Sequence, residues 1–500
     1  MGKVYVNKAL STVEHKIETF TFHNLHYPNA FRFVMFFLWM LNFGVFIMRT
    51  WSTDLAKHAR RPINSETIDR AKWHVLDWFG IALAASTTTE GRRIIDLPWA
   101  NLGHGSCVDI SGTKRHYLDA AFVMGCLGNI LEMDDVHNAS ILHAGDIIIP
   151  AALVSAQLTN ADGDALLKAI TRGYEIALII GECAAKQGYS SWYNSSTCGI
   201  FGGCFASALL FGLNEQQQCD ALGHAGMQAS GLWQCRLEPT VSKSLVCGHA
   251  ARAAVHSAWL SQVDMPGPHS ILEGDLGFFA TLYPQAAKQL PSMQQEQQFK
   301  IFEVSFKPWP ACRHSHAAIQ AALELKNKVP QPEQYFYDIH TYQAAQMFCD
   351  NAEPQTDHEA RFSLQHAVAY TLLKGEPEVG WYDEKNRQDD DIAALRHKMR
   401  VLIDDDLNRR FPGAMPTTVM AYQPTTREVV ETAHVNTPLG DPENPMSEED
   451  LCAKFKRNVK DFDQANVDML LNSLLSLPIA TSLNSINNHL TQMVSQNDNC

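Results

Sequence analysis

Between Asn64 and about Leu290 the chain repeats an apolar helical period many times over, and this feature most constrains the fold. Asn64 and Ser65 are capping residues ahead of Ile68, Ala71, Val75, Trp78, Phe79 and Leu83, which recur at helical spacing. The same pattern predicts helices over 117–131, 148–158, 165–183, 201–213 and 250–259. Several of these carry runs of small residues, as in GGCFASALLFG and GHAARAAVHSAW. Helices with small residues on their contact faces approach closely, so the text calls for a tightly packed helical bundle.

After Pro284 the character changes. Short alternating stretches at 302–306, 335–342, 401–403, 419–422 and 429–435 predict strands, and 315–326 and 364–373 predict helices among them. Helical text returns at 447–457 and 461–475. The fold expected is therefore mostly α, a large all-helical domain with an inserted smaller α+β domain. The boundaries are 48–300 for the helical domain, 301–436 for the insertion and 437–500 for the return of the chain to the helices. Residues 1–47 form an extension. Within it the stretch from Phe33 to Met48, FVMFFLWMLNFGVFIM, has no charge but falls short of the ~20 residues that a spanning helix needs. Met48 opens text that reads like an ordinary amino terminus. Residues 1–47 are read as an overlong gene start rather than an anchor, and membrane contact is expected only if the segment is a real anchor.

A formal net charge of -14 argues against nucleic acid as the main partner, since neutralising phosphates needs a basic face. It leaves room for a small anion bound by a few buried cations. The 12 cysteines are scattered, without CxxC pairs or zinc spacing, and read as reduced buried thiols of a cytoplasmic protein. There is no phosphate-binding loop, dinucleotide glycine fingerprint, GxSxG or HExxH, which points away from nucleotide, flavin and zinc chemistry.

Three segments carry chemistry-bearing residues. The first is LEMDDVHNASILHAG, with Glu132, Asp134, Asp135, His137 and His143 in a joint between two predicted helices. Such carboxylates and histidines either move protons or are solvated loop residues and caps. The second places Lys243 at the start of the 250–259 helix region, as a carboxylate site or as a surface lysine. The third, FKPWPACRHSH, stiffens Lys307, Cys312, Arg313 and His316 with two prolines. It is either a clamp for a polycarboxylate or a rigid connector. Histidines two apart do not suggest a shared metal.

Taken in order, LEMDDVHNASILHAGDIIIPAAL, TCGIFGGCFASALLFGL, EPTVSKSLVCGHAARAA, LEGDLGFF, FKPWPACRHSHAAI, EARFSLQHAVA and TPLGDPENPMSEEDLCAKF resemble the MmgE/PrpD family. That family includes 2-methylcitrate dehydratases, cis-aconitate decarboxylases and an iminodisuccinate epimerase. The likeness runs from about Met48 to the carboxy terminus. It implies that the α+β domain acts as a lid, that the protein is a homodimer, and that it uses no metal or organic cofactor. It also implies that His143, Lys243, Lys307 and the stretch 132–137 line the pocket. Cys312 falls where decarboxylase-type members have histidine. Glu132 stands where the family usually has Asp, Val136 where it has Thr, and Tyr193 or Asn194 where many members have His.

The resemblance implies a cofactor-independent lyase that takes a proton from carbon next to a carboxylate of a small di- or tricarboxylate and eliminates water. His143, Asp134, Asp135, Lys243 and Lys307 are the expected catalytic residues. Glu132, His137, Tyr193, Cys312, Arg313 and His316 are the expected substrate contacts. The alternatives are an epimerase or decarboxylase of the same family and, further off, a membrane-anchored helical interaction protein without catalysis.

Overall fold

The computed structural model describes residues 50–497 apart from 102–104, 187, 239, 287–289, 292 and 294–296. The apolar segment 33–48 lies outside the described residues. The first helices are α1 (Trp51–Ala59) and α2 (Ser65–Thr87). Asn64 caps α2 by accepting from the Thr67 N–H at 2.9 Å. From Trp73 to Ala85 every position of α2 is buried, so this helix is central rather than amphipathic.

Around it pack α3 (Tyr117–Asn129), α4 (Gly145–Thr159), α5 (Gly163–Ala184), α6 (Asn194–Leu210), α7 (Glu215–Gln228) and α8 (Ser242–Gln262). The small residues do what their placement predicts. A Cβ on Gly125 of α3 would lie 2.9 Å from the Cα of Gly248 in α8. One on Gly202 of α6 would lie 2.4 Å from the carbonyl oxygen of Gly173 in α5. Both pairs bring helix backbones together where any side chain would force them apart.

A second apolar cluster forms in the later sequence. Its sheet contains β1 (Phe336–Thr341), β2 (Met399–Ile403), β3 (Thr417–Tyr422) and β4 (Val429–Val435), in the order β2-β1-β3-β4. β1 runs parallel to β2 and antiparallel to β3, and β3 runs antiparallel to β4. Ile339, Val419 and Ala433 lie in register across three strands and are buried together. Helices α9 (His316–Lys326) and α10 (Leu364–Lys374) supply Leu325 and Val368 to the same core. The chain then returns to the first core through α11 (Glu448–Asn458) and α12 (Gln464–Leu475), which bury Phe455 and Leu470 there. The molecule is thus mostly helical with a small mixed sheet.

One expected strand is absent. Residues 302–306 form no ladder: Lys300–Glu303 is a turn of 3-10 helix, followed by a single bridge between Val136 and Ser305. The Lys300 N–H donates to the Glu175 carboxylate at 2.8 Å, which ties this stretch to α5 instead of to a strand. Among the described residues, no helix is long and apolar enough to cross a membrane.

Two histidines make the fold acid-sensitive. Burial, reinforced by Arg313 and Arg236, pushes His314 down to about 3 from the usual 6.5. Burial and Arg396 do the same to His366. Each folded-state value lies below the unfolded one, so the unfolded chain binds the proton more tightly once the pH drops under 6.5. The stabilisation is complete above that value. It is lost on acidification at about 1.4 kcal/mol per pH unit for each histidine. Urea melts at stepwise lower pH are expected to show this slope, and His314→Gln should make it shallower.

Candidate active site

The loop joining α3 to α4 contains two non-glycine residues in the left-handed region, Glu132 (φ 54°) and Ile141 (φ 53°). Such conformations persist only where the surroundings fix them. Here Val136 and Ser305 exchange backbone hydrogen bonds at 3.0 and 2.8 Å, and the His137 N–H donates to the Leu142 carbonyl at 2.9 Å.

Asp135 is the main anchor of this loop. One of its oxygens meets His74 Nδ1 and the Tyr174 hydroxyl, both at 2.7 Å. The other accepts from the Gly145 N–H at 3.0 Å, at the first turn of α4. Burial by itself would raise the Asp135 carboxyl, but the bonds to His74 and Tyr174 hold it below its ordinary value. Asp135→Ala removes all three contacts from a buried site. It is expected to lower unfolding free energy by about 3–5 kcal/mol in chemical denaturation.

Asp134 points the other way. Its Oδ2 lies 2.7 Å from His143 Nδ1, and its Oδ1 accepts from Lys307 Nζ at 3.3 Å. Burial opposes its ionisation, but His143 and Lys307 beside it outweigh this and hold it well below the carboxylate range. His143 Nδ1 also lies 3.1 Å from the Asp135 carbonyl. A carboxylate and a carbonyl both accept, so Nδ1 carries the hydrogen, and Nε2 is the nitrogen left to take or give a proton. The His143 backbone N–H donates to Ser195 Oγ at 3.0 Å, which fixes the residue against α6. Behind Asp134, Asn129 Nδ2 donates to both Asp134 and Asp146, at 3.1 and 2.9 Å. Burial and the adjacent Asp134 charge push Asp146 well above the carboxylate range.

Two lysines meet the remaining charge. Lys243, in the first turn of α8, forms a buried ion pair with Glu132. Burial works against both charges. Lys243 and Lys307 nonetheless keep Glu132 below its usual value, and Glu132 and Asp134 keep Lys243 above its own. Lys307 is fully buried and donates to the Glu132 carbonyl at 2.9 Å. A further layer comes from α11: Lys454 pairs with Asp77 at 2.6 Å and reaches the Met133 carbonyl at 3.4 Å.

These groups border a cavity of about 350 Å³. Glu132, His143, Tyr193, Lys243, Cys312 and Arg313 line it, all of them singled out by the sequence. Lys307 and Asp134 stand behind the wall and support it. Three other sequence candidates face elsewhere. Asp135 is turned into the helices. His137 lies off the cavity wall, with Nδ1 at 2.8 Å from Ser140 Oγ and Nε2 at 3.3 Å from Glu303. His316 begins α9 and is fully buried, its Nε2 at 3.2 Å from the Ala311 carbonyl. Burial and the charge of Arg313 push His316 well below its ordinary value, so it is neutral.

Sequence reasoning missed other lining residues, among them Tyr189, Trp233, His314, Phe348, Phe411 and Met415. His314 was within reach, since it belongs to FKPWPACRHSH. The 3-10 turn Arg313–Ser315, rather than a helix running through, turns His314 to the cavity and His316 away. The apolar residues carry no local signature.

His137, Glu182 and Glu303 are the one group among the described residues whose ligand atoms lie within 4.8 Å of each other. Lys300 Nζ donates to both carboxylates, at 2.6 and 3.2 Å, so the chain's own ammonium fills the role of a cation there.

The sequence matches the MmgE/PrpD N-terminal domain over residues 52–290 and the MmgE/PrpD C-terminal domain over residues 309–475. The chain belongs to the MmgE/PrpD family. It is 24% identical to a cis-aconitate decarboxylase of Aspergillus terreus, over 56% of this chain and 60% of that enzyme. The human cis-aconitate decarboxylase is also 24% identical, over 79% of this chain and 84% of its own length. A 2-methylcitrate dehydratase of Salmonella typhimurium is 26% identical, over 66% of this chain and 72% of its own. The match to the Aspergillus enzyme thus spans less than two thirds of that relative. These relatives are lyases.

Proposed function

We propose that the protein is a lyase that moves a proton at the carbon next to a carboxylate of a small di- or tricarboxylate, with water elimination as its reaction. The observation that carries this reading is the charge of the cavity wall. Lys186, Lys243 and Arg313 are the cations of the lining and, among the described residues, Glu132 is its anion, with His143 beside them; Lys243 pairs with Glu132, and Arg313 pairs with Asp441 behind the wall. A polycarboxylate fits such a wall, and its developing enolate charge gains from the same cations. Each well-aimed donor of this kind contributes about 3 kcal/mol to the transition state.

In this reading His143 Nε2 takes the proton from carbon. The electron pair of the broken C–H bond forms the alkene and expels the β-hydroxyl, which leaves as water with the proton that Nε2 had taken. Asp134 keeps the ring in the required tautomer and stabilises the imidazolium in between. Lys243 and Arg313 hold carboxylates, while Lys307 and Glu132 fix the geometry of the wall. No step calls on a metal or an organic cofactor. The sheet-bearing core serves as a lid, since Phe348, Phe411 and Met415 reach the cavity from it.

Decarboxylation is a second reading, supported by the decarboxylases among the relatives. There the bond to a carboxylate breaks, carbon dioxide leaves with the electron pair of that bond remaining on carbon, and His143, entering the step as the imidazolium, gives its Nε2 proton to the resulting carbanion. Incubation with citrate, 2-methylcitrate and cis-aconitate separates the two. Dehydration raises ultraviolet absorbance as a conjugated alkene forms, and decarboxylation releases carbon dioxide. If no acid of this kind is turned over or stabilises the protein against heat, the proposal is wrong.

A further inference from the structure

Lys243 and Glu132 also border a second cavity, of about 430 Å³. Apart from Ile130 and Val241, every residue around it is polar or charged. Its cations are Arg93, Lys243, Arg361 and Arg387, and its anions are Glu90, Glu132 and Asp357. Two of these anions are already matched, Glu132 by Lys243 and Asp357 by Arg387. Arg93 and Arg361 then face Glu90 alone, so the lining has an excess of positive charge. His358 adds none, since burial pushes it down to about 4.

Arg361 is the unusual member. It is 8% exposed, yet among the described residues it has no carboxylate partner. Its Nε donates to the Asp357 carbonyl at 3.2 Å, and its Nη1 donates to the Ile130 carbonyl. The guanidinium lies over the Tyr382 ring at 4.6 Å, and Nη2 donates to none of the described residues. A nearly buried cation held only by carbonyls and a ring is short of a counter-charge. The first turn of α8 reaches the same cavity through Val241, Lys243 and Ser244, and its N-cap residue, Val241, offers no capping side chain. The N–H groups and dipole at such a helix start favour a negative ligand too.

We propose that this cavity is a second binding site, for a small divalent oxyanion of the phosphate or carboxylate class, held by Arg361 and Arg93. Neither arginine lines the main cavity, so the site does not depend on the substrate reading given above. It is nonetheless linked to that cavity. The Arg361 carbonyl accepts from the Cys312 N–H at 2.9 Å, and Ile130, which accepts from Nη1, stands just before the left-handed Glu132. A bound anion also competes with Glu132 for Lys243.

Isothermal calorimetry on the full-length protein tests this, with inorganic phosphate and succinate titrated separately. Arg361→Lys keeps the charge but loses the planar fork, and the affinity is expected to fall about tenfold. Arg93 is exposed, so Arg93→Gln leaves the fold intact and should weaken binding about threefold. Arg92→Gln removes the same charge one residue away, outside the lining, and should leave the affinity unchanged. This pattern with phosphate alone, with succinate alone or with both supports the site and assigns the class of its ligand. Equal affinity in Arg93→Gln and Arg92→Gln, or no binding of either anion by the native protein, overturns the proposal.

Discussion

Replacing His143 with glutamine is expected to lower kcat by about 100- to 10,000-fold while substrate binding persists. Glutamine keeps a polar side chain at the same place, and the backbone bond from residue 143 to Ser195 does not depend on the ring. What disappears is the basic nitrogen. The cations that would hold the carboxylates, Lys243 and Arg313, are untouched. Asp134→Asn should act in the same direction. An amide in place of the carboxylate no longer requires the hydrogen on Nδ1 and no longer compensates an imidazolium. Steady-state kinetics with calorimetric binding distinguishes these outcomes. If KM rises while kcat stays, the histidine binds rather than transfers a proton.

The second large effect concerns stability as much as activity. Lys307→Met removes the fully buried ammonium that serves the Glu132 carbonyl and the Asp134 carboxylate. Methionine fits the volume but leaves negative charge without its partner in a buried place. The expected loss is about 3–5 kcal/mol of unfolding free energy. Activity should fall with it, because Asp134 would move toward an ordinary pKa and hold His143 less firmly. The double variant Lys307→Met with Asp134→Asn should recover part of the stability and none of the activity. Removing both charges relieves the unpaired one but does not restore the histidine's partner. A double-mutant cycle in urea reads the coupling directly. Additive losses would mean that the two residues do not share one network.

Much of the fold was legible in the sequence because local patterns matched the tertiary demand. The helical period from Ile68 to Leu83 lies within α2, and the alternating residues from Val419 to Tyr422 lie within β3. The strand expected at 302–306 failed because alternation there is served by a 3-10 turn whose polar groups bind α5. The site was legible where charge is unusual among apolar helices, as at Glu132, His143 and Lys243. It was not legible in direction. Asp134 and Asp135 are adjacent and chemically alike, yet one turns to His143 and the other to His74 and Tyr174. His314 and His316 differ in the same manner, on either side of a helix start. The apolar part of the cavity lining left no trace, since Phe348, Phe411 and Met415 converge only through the packing of the second core.

The central claim is that His143 moves a proton at carbon next to a carboxylate. Proton magnetic resonance in deuterium oxide tests it most directly, with citrate, 2-methylcitrate and cis-aconitate as the panel. The account predicts deuterium at such a carbon in substrate or product for the native protein, and none for His143→Gln at equal folded concentration. Equal incorporation by the two proteins, or none by the native protein with any of these acids, would contradict it.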